Sequence, residues 1–464
     1  MTHAVLVLAA SVSWLAAAQG DAVDAYVRSQ LAARRLPGVS LAVVKDGRIV
    51  MAAGYGVASL ELHAPATERT VYEIGSISKQ IAANAILLLV EDGKVGLDDL
   101  ISKYVDGAPA AWSGITVRHV LTHTAGLADF DTGGIGFSYR REYTNAEFVE
   151  LLSARPLQFA PGERWNYTNA FPLLGMVVQR ASGQPYPDFV RARIFAPLKL
   201  ASARFKVSTD VVRHRADGYL FKDGEYRHGE ALRPMVIAPN GGVMIDVLDF
   251  AAWDIAVTSG RLLKKESLDT MTTPVRLNDG RTVSHGLGWF IDTFNGHTFG
   301  AHWGTTVTGH SAVIRRYPAD GLTVIMMANL DDGAFGIDAM SIRIAGMYVP
   351  GTSVHSLTPR PDASGRIAVV RPALEAIGQG VETPDAPGLA ARLPADVRAR
   401  IGGALRESTA FEFLGEEAVS PHHFSLDTAV ASIARFRSQG VAGARYFTVR
   451  FTREGRMLAV TVED

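Results

Sequence analysis

The sequence predicts an α/β (α+β) fold. An antiparallel sheet is built from both ends of the first 350 residues and flanked by helices. A helical domain is inserted between its halves, and a small α+β domain follows. Three observations lead there. Strand patterns occur at residues 39–55 and return only at 287–329, with helix and loop between them. The dipeptides Asp46-Gly47 and Asn295-Gly296 link neighbouring strand patterns as tight hairpins do. Residues 350–372 are rich in Pro, Ser, Thr and Gly, a linker composition, and more strand patterns follow. The chain has 464 residues, which is too many for one ordinary core.

In chain order, residues 4–18 are apolar except for Ser11 and Ser13 and end in Ala16-Ala17-Ala18. This suits a secretory signal over 1–18 and an exported protein, although no Lys or Arg precedes the run. Val23, Tyr26, Val27 and Leu31 have helical spacing within 21–35, which Pro37-Gly38 ends. Val39–Lys45 and Ile49–Tyr55 read as strands, and Ile77–Glu91 as an apolar helix stopped by Asp92-Gly93. Residues from about 95 to 235 form the inserted helical region. Thr144-Asn-Ala-Glu147 is a capping box, and helices are expected at 173–181 and 186–194. Strands are expected again at 287–293, 297–303, 312–317 and 322–329. The catalytic region is thus placed at 19–350, a linker at 351–372 and the α+β domain at 373–464. That last domain should hold a helix from Pro394 to Ile401, ended by Gly402-Gly403, and a meander of four short strands.

Composition narrows the chemistry. A net charge of −1 supplies no field to recruit nucleic acid. Without cysteine the chain has no disulfide, thiolate metal site or cysteine nucleophile. After residue 18 no stretch approaches 18 uncharged apolar residues, so the mature chain should not span a membrane. The sequence does not determine an oligomeric state. No His-Glu-x-x-His or similar pair is present, and neither metal nor cofactor is expected. A metal hydrolase using His123, His302 and His310 with Asp129 or Asp131 is the alternative of that kind.

Three short segments carry chemistry. The first is Gly75-Ser76-Ile77-Ser78-Lys79, at the start of an apolar helix. Positions i and i+3 share a helix face, so Lys79 can reach the Ser76 hydroxyl. A desolvated lysine can lose its proton and activate a serine, and the helix start offers a backbone N–H to an oxyanion. A serine and a lysine on a surface helix would look the same in isolation. The second is Tyr167-Thr168-Asn169. A tyrosine beside a cation can act as a base, because positive charge favours the phenolate. Asn169 can position the lysine and bond a substrate amide. The pattern recurs at Tyr143-Thr144-Asn145, where the capping box already employs Thr144. The third is His302-Trp303-Gly304 near a strand end. Residues 302 and 304 face one side, Gly304 leaves room for substrate, and the Thr305 N–H is a second oxyanion donor. A histidine that merely caps a strand is the alternative.

Taken together and in this order, the segments resemble the serine β-lactamase and penicillin-binding-protein superfamily, in its class C-like and esterase branch. The likeness covers residues 22–350. It is strengthened by Leu121-Thr-His-Thr-Ala-Gly-Leu127, the run from Pro156 to Asn169, Ala238-Pro-Asn-Gly-Gly242 and Gly286-Leu-Gly-Trp289. The resemblance implies an acyl-enzyme on Ser76, with Lys79 and Tyr167 as the proton-transfer pair and Asn169 as orienter. His302, Gly304 and Thr305 stand at the family's third motif. His123 lies in the Leu121–Leu127 stretch and reads as structural, holding a turn.

Histidine stands where that motif often has lysine, so a fixed cation for a substrate carboxylate is missing. A carboxylesterase-like activity on small-molecule or peptide acyl substrates is therefore favoured. The alternatives are a D-Ala-D-Ala-type peptidase, a β-lactamase, or a catalytically weak penicillin- or peptidoglycan-binding sensor.

Overall fold

The structure, a computed structural model, describes residues 19–130, 136–207, 209–229, 235–331, 335–419, 430–441 and 443–464. The signal expected at 1–18, and Asp131 of the metal alternative, lie outside the described residues. The chain divides into two units. One comprises residues 1–291 with 298–348, the other 292–297 with 349–464.

The first unit is organised on a seven-stranded sheet. Its strands are β1 (Gly38–Lys45), β2 (Arg48–Ser59), β3 (Ala64–Pro65), β4 (Phe290–Phe294), β5 (His297–Thr306), β6 (His310–Tyr317) and β7 (Leu322–Ala328). Their order is β4-β5-β6-β7-β1-β2-β3. The N-terminal hairpin docks on the last strand, with β1 antiparallel to β7 from Val39↔Ala328 to Lys45↔Leu322. The expected union of the two chain ends is therefore realised. Asp46 and Gly47, with φ of 50° and 72°, and Asn295 and Gly296, with 49° and 84°, adopt the left-handed turns that favour these dipeptides. Every residue of β7, and all of β1 but Lys45, is buried. Such strands read as continuous apolar runs because both faces are covered.

Helix α1 spans 19–33, with Val23 and Val27 wholly buried. Helix α2 (Ser78–Glu91) is buried from Ser78 through Leu89, as expected of a helix apolar all round. Helices α3 (Asn145–Ser153) and α4 (Pro172–Ser182) belong to the inserted region, and α5 (Val247–Thr258) packs on β1. Among the described residues no helix is long and apolar enough to cross a membrane.

The inserted region is less purely helical than expected. Tyr219–Lys222 and Glu225–His228 form a hairpin, and Arg204–Phe205 joins Val243–Ile245 and Tyr72–Glu73 in a small sheet. The signal for the hairpin was the Asp223-Gly224 dipeptide, left-handed at both positions.

In the second unit a four-stranded antiparallel meander, β8 (Ser408–Ala418), β9 (Ser432–Gly440), β10 (Gly443–Phe451) and β11 (Met457–Glu463), is covered by α6 (Arg366–Gly378) and α7 (Ala395–Arg406). Two expectations change here. The two ends of the span read as a linker are packed structure, with mostly exposed chain outside helix and strand over 358–365 between them. Val354 and Leu357 are buried with Leu414 and Tyr446, and α6 runs through Pro372 because Val370, Leu374 and Ile377 enter the core. Gly402 does not end its helix. With Gly378 it lets α7 approach α6 closely, since a side-chain carbon at Gly378 would lie 2.6 Å from the Gly402 Cα and one at Gly402 would lie 3.2 Å from the Gly378 carbonyl oxygen.

Candidate active site

Ser76 lies in a 3-10 turn, Gly75–Ile77, which leads into α2. The turn is braced by the Val243–Ile245 strand. The Ile74 N–H donates to the Val243 carbonyl at 3.1 Å, and the Val243 N–H donates to Ser78 Oγ at 3.1 Å. Gly75 has φ +51°, which favours glycine. Around this turn almost every residue is buried, while Ser76 itself stays half-buried.

Lys79 is completely buried, one turn further on. Its Nζ lies 3.0 Å from Ser76 Oγ, 3.1 Å from Asn169 Oδ1 and 3.4 Å from the Asn240 carbonyl oxygen. Two of these partners can only accept, whereas the serine hydroxyl can also donate. Nζ thus faces three acceptor oxygens, as an ammonium would, and Ser76 is the one partner that could donate to its lone pair after loss of a proton. Asn169 in turn donates from Nδ2 to Asp129 Oδ2 at 3.2 Å.

Tyr167 is hydrogen-bonded to Ser76. The expectation that Lys79 would draw this phenol toward phenolate is not met. Lys79 Nζ lies over the ring, 4.9 Å from its centroid. Burial pushes the phenol up, the Asp129 charge adds to that, and the bond with Ser76 offsets only part. Tyr167 is thus a proton donor at neutral pH. Tyr143 is occupied differently. Its hydroxyl accepts the Ser138 N–H at 2.7 Å, beside the Thr144–Glu147 capping box.

Strand β5 closes the site. A side-chain carbon at Gly304 would lie 2.1 Å from the Ile74 carbonyl oxygen and 2.8 Å from the Ser76 nitrogen. One at Gly75 would lie 2.4 Å from the Thr305 carbonyl oxygen and 2.9 Å from the Thr305 nitrogen. The two glycines thus let the backbones of residues 74–76 and 304–305 meet.

His302 is buried, with Nδ1 2.7 Å from the Trp303 carbonyl oxygen. A carbonyl only accepts, so Nδ1 carries the proton and Nε2 is a bare acceptor without a partner. Burial first, then the Lys79 charge, hold this imidazole well below the usual histidine range. Arg315 and Arg316 are committed elsewhere, to Asp338 at 2.7 Å and to Asp254 at 2.5 Å. Among the described residues no three His, Asp or Glu side chains converge as a cation site.

Motif reasoning passed over three contributors. The Asn240 carbonyl lies in the Ala238–Gly242 stretch noticed for its pattern alone. Asp129 was considered only for metal. His285, fully buried and 4.8 Å from His123 between ring centroids, adjoins the Gly286–Trp289 stretch.

The buried imidazoles make stability depend on acid. Burial lowers His285 to about 3 and His310 to about 4, against an ordinary value near 6.5. Above about pH 6.5 both groups are neutral folded or unfolded. Below it the unfolded chain binds protons that the native chain refuses, so stability is lost as pH falls toward those values. The expected slope is roughly 1 kcal/mol per pH unit for each histidine. Urea midpoints should be flat from pH 8 to 7 and fall between pH 6.5 and 5. A flat profile through that window would contradict the burial.

Comparison with known proteins gives the same frame. The Beta-lactamase family model matches residues 23–347. Penicillin-binding protein 4* of Bacillus subtilis (strain 168) is 28% identical over 314 residues, 62% of this chain and 67% of that protein. Esterase EstB of Burkholderia gladioli is 33% identical over 205 residues, and the match spans 41% of this chain and about half of that protein, 52%. The octameric penicillin-binding protein homologue from Pyrococcus abyssi superposes with a TM-score of 0.60 over 96% of each chain. At 22% identity it speaks for the fold.

Proposed function

Because the chain belongs to the beta-lactamase family and is a serine hydrolase, we propose that it cleaves esters or amides by way of an acyl group carried on Ser76. The observation that carries this is the buried Lys79 amine, 3.0 Å from a serine hydroxyl that remains accessible. In the proposed first step the Ser76 proton passes to Lys79 Nζ while Oγ attacks the acyl carbon. The N–H groups of Ser76 and Thr305 receive the carbonyl oxygen as it becomes negative. Collapse then breaks the bond to the leaving group, which takes the phenolic proton of Tyr167. Lys79, now an ammonium, restores that proton. Water attacks the acyl-enzyme with the same groups in reverse. Asn169 orients Lys79 throughout.

We place the substrates among uncharged acyl groups, in the manner of a carboxylesterase. His302 is neutral, and Arg315 and Arg316 are held in ion pairs, so the third motif lacks a ready cation for a carboxylate. The test is a substrate panel with Ser76→Ala as blank. Short-acyl esters should turn over measurably, and carboxylate-bearing β-lactams poorly. His302→Lys should shift the ratio of kcat/KM toward the β-lactam by roughly 10- to 150-fold, the equivalent of a charge-assisted bond of about 1.5–3 kcal/mol. A wild-type protein that already prefers the β-lactam by orders of magnitude would defeat this choice of substrate.

A further inference from the structure

We propose that His123 is a positioning residue for Tyr167, holding the phenol on Ser76 during acyl transfer; this rests on the roles given above to Ser76 and Tyr167. His123 touches three consecutive residues. Its carbonyl oxygen accepts the Asn166 N–H at 3.0 Å, and its Nδ1 accepts the Thr168 N–H at 3.1 Å. Between these two bonds its ring stacks on Tyr167, with centroids 4.4 Å apart and planes 28° apart. The backbone on both sides of the tyrosine and the face of its ring are thus fixed by one side chain and its own carbonyl.

The local backbone is shaped for this role. His123 has φ +59°, a left-handed conformation uncommon outside glycine, and such strain persists only where surroundings enforce it. The enforcement is a clamp between two segments. The Gln158 N–H donates to the Gly126 carbonyl at 2.7 Å, and the Gly162 N–H to the Thr124 carbonyl at 2.8 Å. Gly126, at φ +75°, makes the close approach feasible, since a side-chain carbon there would lie 2.0 Å from the Phe159 carbonyl oxygen. Positioning also needs a neutral ring, because a protonated Nδ1 has no lone pair for the Thr168 N–H. Burial first, then His285, Lys79 and His302, hold the imidazole well below its ordinary value. A residue kept only to fill space would need the ring and not the nitrogen.

The test is a double-mutant cycle of wild type, His123→Asn, Tyr167→Phe and the double variant. It is read as kcat and KM on an activated short-acyl ester, with melting temperatures as control. Asparagine tolerates the left-handed backbone and offers an oxygen to the Thr168 N–H, but cannot stack. Tyr167→Phe alone should cost roughly 100-fold. His123→Asn should lower kcat by about 10- to 100-fold with KM little changed, since a misplacement of about 1 Å can cost that much. In the Tyr167→Phe background the same change should cost less than about threefold. Equal losses in both backgrounds would make His123 merely structural and overturn the proposal, as would a fully active His123→Asn. An active Tyr167→Phe would instead overturn the role given to Tyr167, and this proposal with it. His123→Gln carries the same cycle if the asparagine variant does not fold; failure of both to fold would make His123 a folding residue and overturn the proposal.

Discussion

Ser76→Ala is expected to remove hydrolysis of an activated ester by at least about four orders of magnitude while leaving the protein folded. The fold should survive because Ser76 is half-buried and loss of its hydroxyl leaves the Lys79 amine bonded to Asn169 and Asn240. Activity should not survive, because the neighbouring hydroxyl cannot take over. The nearest candidate in sequence, Ser78, is fully buried and already accepts the Val243 N–H. The matching measurement is labelling by an active-site phosphonate. One adduct should form, on the peptide that contains Ser76, and none in Ser76→Ala. Undiminished labelling of the variant, or an adduct on Ser78, would place the nucleophile elsewhere.

How much of this was legible in the sequence depended on how local each cause is. The β1–β2 and β4–β5 turns were readable because Asp-Gly and Asn-Gly encode left-handed backbone directly. The Ser76–Lys79 contact was readable because helical spacing alone brings i and i+3 together. The choice between the two Tyr-Thr-Asn copies was only half readable. The capping box identified the structural copy, but what marks Tyr167 is His123, more than forty residues away. The protonation of Tyr167 was not readable. It turns on burial against a nearby cation, and burial is a property of the finished packing. Gly402 failed for the same reason: a glycine that ends a helix and one that admits a crossing helix look alike until the second helix is in place.

The base is open to a comparably large test. Lys79→Met keeps an unbranched side chain of similar length in a fully buried position and removes the amine, and with it any proton acceptor beside Ser76. It should cut kcat/KM by on the order of 10³- to 10⁴-fold, the upper range of general acid–base catalysis. Phosphonate labelling of Ser76 should slow in parallel. The change leaves Asn169 Oδ1 and the Asn240 carbonyl without their donor, at about 1–3 kcal/mol each, so the melting temperature should be followed alongside activity. Lys79→Arg separates two ways in which the lysine could act. A guanidinium keeps the positive charge and the donors but is not deprotonated in proteins. If Lys79 served only to attract negative charge, the arginine variant would keep a substantial part of the activity. If it takes the Ser76 proton, arginine should fail as badly as methionine, because neither offers a lone pair of amine basicity. Retention of more than about a tenth of wild-type kcat/KM in Lys79→Arg would therefore reject Lys79 as the base. The 3.0 Å contact of Nζ with Ser76 Oγ would then act through charge alone.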